Sequence, residues 1–200
     1  MQHRSLALLC SVRSHGEHGV VARILTPDKG LVAGYVRAGR SRALRPVLVP
    51  GNKITAERRQ RHPDQLASLD VELVDSRAPL MTEPLAAVGI DWTCALVASC
   101  LPEEEPFPHV YDAMDGLLGA IAAAPSARRW AGAMANFERL LMQSLGYGGT
   151  LPLVGEDWPS VIAGLTANGA QLSRHLLTDR RRDILPARER MMDRFKRAVA

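Results

Sequence analysis

Near Pro79 the spacing of apolar residues changes, and that change restricts the chain to a small set of folds. Before it, Leu6 to Val12, Val20 to Leu25, Leu31 to Val36, Lys53 to Arg58 and Leu69 to Val74 are runs of strand length rich in Val, Leu and Ile. Gly16, Gly19, Gly30, Gly39 and Gly51 punctuate these runs, and Pro27-Asp28-Lys29-Gly30 reads as a hairpin turn. After it, Ala, Leu and Met recur at helical spacing. Helices are predicted over Leu85 to Leu101, Val110 to Ala123, Ser126 to Leu145, Ala167 to Leu177 and Ala187 to Val199. Pro102, Pro106, Pro125 and Gly146 separate the first of them, and Asn168-Gly169 and Pro186 are expected to bound the last two. Phe137, Leu140, Leu141 and Leu145 put an apolar stripe on the third, which ends at a glycine suited to a left-handed cap.

Five short strands in about 75 residues predict a small closed barrel of the OB-fold type, followed by an all-α body. The expected division is 1–77 for the barrel and 78–200 for the helices. Such a barrel commonly binds single-stranded nucleic acid, and the charge distribution points the same way. Residues 1–61 hold twelve Lys or Arg against Glu17, Asp28 and Glu57, about +9. Residues 78–160 come to about −7, and the rest of the C-terminal part to about +5, although the whole chain is only +4. Phosphates neutralised by such a patch release counterions, which favours binding.

The densest basic stretch is VRAGRSRALRPVLVPGNKITAERRQR, residues 36–61. Arg37, Arg40, Arg42, Arg45, Lys53, Arg58, Arg59 and Arg61 are its candidate DNA-binding residues. Gly39 and Ser41 allow the loop between two strands to approach a phosphate backbone closely. The alternative for this loop is a solvated, disordered segment. Tyr35 is the one aromatic of the barrel half, so binding is expected to rest on charge, with weak sequence preference and steep salt dependence. The C-terminal cluster Arg180 to Arg182 either extends the DNA path or caps helix ends in solvent. The run Glu103-Glu104-Glu105 before Pro106 reads as an exposed interhelical loop.

No phosphate-loop, nucleophile-elbow, HExxH or dinucleotide motif is present, and a non-enzymatic role without a cofactor is expected. His15, Glu17 and His18 crowd one turn, but a closed metal site wants four ligands and this set is incomplete. A metal-dependent enzyme built on them stands as a third reading. Cys10, Cys94 and Cys100 form no CxxC pair and are expected as small buried hydrophobes. No segment reads as a signal peptide or membrane span, so a cytoplasmic protein is expected.

Three stretches resemble the RecO family of bacterial recombination mediators. They are GEHGVVARILTPDKGLVAGYVRAGRSRALRPVLVPGN (16–52), WTCALVASCLPEEEPFPHVYDAMDGLL (92–118) and FERLLMQSLGY (137–147). The first shows the family's Gly-Glu turn, strand-ending Thr and Gly-Arg-rich loop, and the last its Phe-Glu-x-x-Leu-Leu-x-x-Leu-Gly-Tyr helix. The resemblance implies DNA repair by binding single-stranded and duplex DNA, annealing complementary strands and helping RecA load. It implies RecR and the acidic tail of single-strand binding protein as partners. Many relatives hold zinc through cysteines after Leu-Gly-Tyr; GGTLPLVGEDWP (148–159) has none, so no metal is expected, and the region looks shortened. Some relatives place arginines just before Phe-Glu. Here Ala135 and Asn136 stand there, and Arg128, Arg129 and Arg139 are the partner-binding candidates in their stead. The rival reading is a scaffold whose barrel docks a partner such as RecR, with DNA contact indirect.

Overall fold

The computed structural model describes residues 2–60, 62, 65–124, 126–147, 154–155, 157–178 and 183–197. Five strands, β1 (Gln2–His15), β2 (Gly19–Thr26), β3 (Gly30–Val36), β4 (Lys53–Arg59) and β5 (Ser68–Asp75), close a barrel in the order β1-β2-β3-β5-β4. The long β1 serves two neighbours, pairing Gln2 to Leu8 with β4 and Leu8 to His15 with β2. Its register slips between Leu9 and Ser11, where the strand bends from one sheet into the other. The sequence places the start of this strand at Leu6. It starts four residues earlier, because the polar run before Leu6 hides the alternation.

Among the described residues five α-helices follow: α1 (Pro84–Cys100), α2 (Pro108–Ala123), α3 (Ala131–Ser144), α4 (Trp158–His175) and α5 (Leu185–Arg197). A barrel followed by a helical body is the architecture expected from the change of period. Two helix boundaries differ by more than two residues. α3 begins at Ala131 because residues 127–129 form a 3-10 turn that ends on buried Trp130. α4 begins nine residues before Ala167: Asp157 caps it, its carboxylate accepting from the Ser160 N–H at 2.9 Å, and Pro159 sits in its first turn. Asn168-Gly169 therefore lies inside α4 rather than at its edge. Asn168 is buried and donates to the Ala135 carbonyl at 2.8 Å, and a Cβ on Gly169 would stand 2.2 Å from a guanidinium nitrogen of Arg188. Both residues serve packing between helices, which overrides their ordinary use as helix breakers.

Two hydrophobic clusters form. Ala7, Leu9, Val20, Ala22, Ile24, Val32, Ile54 and Leu69 fill the barrel. Leu8, Cys10, Leu25 and Leu31 face outward and join the helical core with Ile90, Trp92, Leu96 and Val97 of α1. Ala7 to Cys10 is continuously apolar because both faces of this part of β1 are covered. At the centre of the helical body, buried Glu138 of α3 accepts from Trp92 Nε1 at 2.8 Å and from Arg188 Nε and Nη2 at 2.9 and 3.0 Å. Arg188 also donates to the Leu165 carbonyl. The Glu138 carboxylate and the Arg188 guanidinium together thus tie α1, α3, α4 and α5, which gives Glu138 of the Phe137-Glu138 pair an architectural role.

Candidate nucleic-acid interface

The connection between β3 and β4 is an ordered loop. Ala38, left-handed at φ 52°, turns the chain out of β3. The Arg45 N–H then donates to the Ser41 carbonyl at 3.1 Å and the Leu48 N–H to the Leu44 carbonyl at 2.9 Å. Leu48 is buried, and Leu44 and Val47 pack on the barrel cluster, so the loop closes one end of the barrel. Gly39 is needed for that fit: a Cβ there would stand 2.6 Å from Val20 Cγ2. Fully buried Asn52 fastens the loop from beneath, donating to the carbonyls of Pro46 and Val47 at 2.9 Å and accepting from the Arg77 N–H at 2.7 Å. These bonds replace the disordered alternative with a rigid platform.

On that platform Arg37, Arg40, Arg42 and Arg45 are all exposed. None has a carboxylate partner among the described residues. Arg40 is held against the β1-β2 turn, its N–H donating to the His18 carbonyl at 3.2 Å and its Nη1 to the Glu17 carbonyl at 3.1 Å. Neither bond neutralises its charge.

The other candidates on β4 are engaged. Lys53 contacts Asp115 of α2 at 2.6 Å, and that carboxylate holds the ammonium above its ordinary pKa. Arg58 pairs with Glu104 at 2.6 Å, and Arg59 with Glu57 and Asp70 at 2.9 and 3.1 Å. Arg61, like the Arg180 to Arg182 cluster, lies outside the described residues. The basic stretch therefore divides into an uncompensated loop and a compensated strand. Pairing across 46 and 62 residues of sequence made this division invisible from local composition.

The acidic run is exposed, as expected, but it is docked rather than free in solvent. The Glu104 N–H donates to the Leu31 carbonyl at 2.9 Å, covering an edge of β3, while Glu103 meets Arg23 at 2.8 Å. Between β3 and β4, β5 presents Asp70, Glu72 and Asp75 to solvent, paired with Arg59 at 3.1 Å, Arg4 at 2.9 Å and Arg77 at 2.5 Å. The arginines of the loop are thus the densest group of uncompensated charge on the barrel among the described residues.

Arg128 and Arg129 stand exposed just before α3, Arg128 lying 5.6 Å from the Trp158 ring centroid. Arg139 lies on α3 itself, 3.4 Å from Gln143. His15 contacts Tyr35 edge-on, while Glu17 and His18 are exposed at the turn 3.8 Å from one another, and the three do not gather into one site. Among the described residues no group of three or more His, Cys, Asp or Glu is arranged to hold a metal, and no helix is long and apolar enough to cross a membrane. Cys10, Cys94 and Cys100 are buried free thiols. Burial pushes Cys10 up to about 12 and Cys94 well above the usual thiol range.

Two family models match the chain: "Recombination protein O N terminal" over residues 1–77 and "Recombination protein O C terminal" over residues 81–151. A DNA repair protein RecO from Gluconacetobacter diazotrophicus is 38% identical over 151 residues, covering 74% of this chain and 59% of that protein. One from Phenylobacterium zucineum is 38% identical over 149 residues, covering 74% and 60%. The matched part thus spans about three-fifths of each of these relatives. One from Rhodospirillum centenum is 30% identical over 238 residues, covering 96% of this chain and 94% of that protein.

Proposed function

Since the chain belongs to the RecO family of DNA repair proteins, we propose that its Arg37 to Arg45 loop holds DNA backbones, single-stranded and duplex, in the work of a recombination mediator. The observation that carries this reading is the set of four exposed, acid-free arginines on a loop fastened to the barrel end. A preorganised cationic surface loses little entropy on binding and releases counterions from each phosphate it neutralises. Neutralising two strands at once lowers their mutual repulsion and so speeds annealing. RecR and the acidic tail of single-strand binding protein are the proposed partners in helping RecA load, with Arg128, Arg129 and Arg139 as the basic residues for the tail. The action is non-covalent and cytoplasmic, and needs no cofactor.

The test is annealing of complementary oligonucleotides across a salt series, with Arg40, Arg42 and Arg45 changed to Ala. Annealing that weakens with salt and falls in the triple variant is expected. A triple variant that anneals normally refutes the assignment of the loop.

A second reading, the barrel as a docking module for RecR with DNA contact indirect, draws on the β5 side, where Leu73 and Val74 are exposed among Asp70, Glu72 and Asp75. Loss of RecR capture on changing Val74 to Lys, with DNA binding absent in the unaltered protein, favours it.

A further inference from the structure

The loop closes one barrel end and the apolar cluster fills the middle, but the other end is open. Along β1 the residues in step with the inward-facing Ala7 and Leu9 are His3 and Ser5; along β2, Thr26 follows Ile24; along β4, Arg58 follows Ala56, with Gln60 just beyond. Apolar inward positions thus give way to polar ones toward a second opening. There a cavity of about 460 Å³ is floored by Ile24, Val32 and Ala56 and rimmed by His3, Asp28, Lys29, Arg58, Gln60 and Glu104. The pattern is inverted on the outer face, where neighbouring Leu6 is 45% exposed. A barrel under selection for packing alone would place Leu6's bulk inside and a serine outside, since unfilled volume and core-facing polar groups both cost stability.

We propose that this opening receives a single unstacked nucleobase of a DNA strand held by the protein, an inference that rests on the DNA-binding reading above. The volume falls within the range of small-molecule sites, and the floor offers an apolar surface to a ring. The rim carries Lys29 and Gln60 beside two pairs, Arg58 with Glu104 at 2.6 Å and His3 with Asp28 at 2.5 Å, whose remaining donor and acceptor positions face the opening. Donors and acceptors set side by side suit the edge of a neutral heterocycle better than a bare anion, since each carboxylate of the rim already faces a basic side chain. Lys29 is exposed at the lip with no carboxylate partner among the described residues, and is placed to meet the adjoining phosphate. Bases in a duplex are stacked and paired and cannot enter, so the opening distinguishes single strands from duplex where the arginine loop does not.

The test uses full-length protein with labelled Ile and Val methyl groups, an oligothymidylate and a blunt hairpin duplex. Ring-current shifts of the Ile24 and Val32 methyls are expected with the single strand and not with the duplex. Ser5→Leu, which fills the cavity, is expected to abolish those shifts and weaken single-strand binding about tenfold, the effect of losing one base contact, while leaving duplex binding unchanged. Methyl signals that stay put while both DNA forms bind overturn the pocket and leave the arginine loop standing. If neither DNA form binds the unaltered protein, the DNA-binding reading falls, and the pocket with it. The methyl shifts are read on unaltered protein, so the result stands even if Ser5→Leu does not fold.

Discussion

Changing Arg188 to Met leaves the fully buried Glu138 carboxylate with Trp92 Nε1 as its remaining donor, in place of three donated bonds. Removing one member of a buried ion pair costs about 3–5 kcal/mol, because the surviving charge stays desolvated and uncompensated. At this chain length that corresponds to a fall in Tm on the order of 10 °C, or a drop in urea midpoint of roughly 2 M. Glu138→Gln strands the guanidinium instead and is expected to cost a similar amount. The double variant leaves no buried charge, and the Gln carbonyl can still accept from Trp92. It should therefore be less destabilised than the two single losses added, by about 2 kcal/mol. Urea unfolding followed by tryptophan fluorescence and far-ultraviolet dichroism on all four proteins closes the cycle. Additivity to within about 0.5 kcal/mol would refute the claim that one carboxylate and one guanidinium staple α1, α3, α4 and α5 together.

Glu103→Gln with Glu104→Gln frees Arg23 and Arg58 from their carboxylates; DNA binding should tighten, and the slope of log affinity against log salt should steepen by up to about 2, as measured by filter binding. Gly39→Val drives a side chain into Val20 and should lift the loop off the barrel end, costing about 1–3 kcal/mol in a urea melt and reducing annealing. Cys10 and Cys94, both held as neutral thiols by burial, should resist iodoacetamide at pH 8 in the native protein and react once it is unfolded, which mass mapping of labelled peptides checks. Because Asp115 raises the pKa of Lys53 in the folded state, their contact stabilises the protein fully below the ordinary lysine value of 10.5. That contribution is lost as pH rises through the raised value, so unaltered protein should lose more stability above pH 10.5 than Lys53→Met.

The parts of the fold legible in the sequence are those written locally. Strand alternation, the turn at Pro27 to Gly30 and the onset of helical spacing near Pro79 each depend on neighbours along the chain, and the barrel and helical body follow from them. The arginine loop was legible for the same reason. What local pattern could not supply was compensation at a distance: Lys53 with Asp115, Arg58 with Glu104, and Glu138 with Arg188 are separated by 62, 46 and 50 residues. The polar inward residues were missed because His3 and Ser5 precede the apolar run that marks β1. The start of α4 was missed because its signal, Asp157 before Trp158-Pro159, adjoins a stretch rich in glycine and proline. Asn168-Gly169 misled because burial and a guanidinium neighbour outweigh local propensity there.

Leu8, Leu25 and Leu31 stand on the outside of the barrel yet inside the core of the helical body. Swivelling one part against the other would return those three side chains to water at a cost of roughly 5–9 kcal/mol, comparable with the whole stability of an ordinary domain. The molecule is therefore a bracket and not a hinge. On the proposed function, a strand held at the barrel and a protein held on the helices would be carried at a set distance and angle, so bringing them together would have to come from slack in the strand or in the partner's own chain.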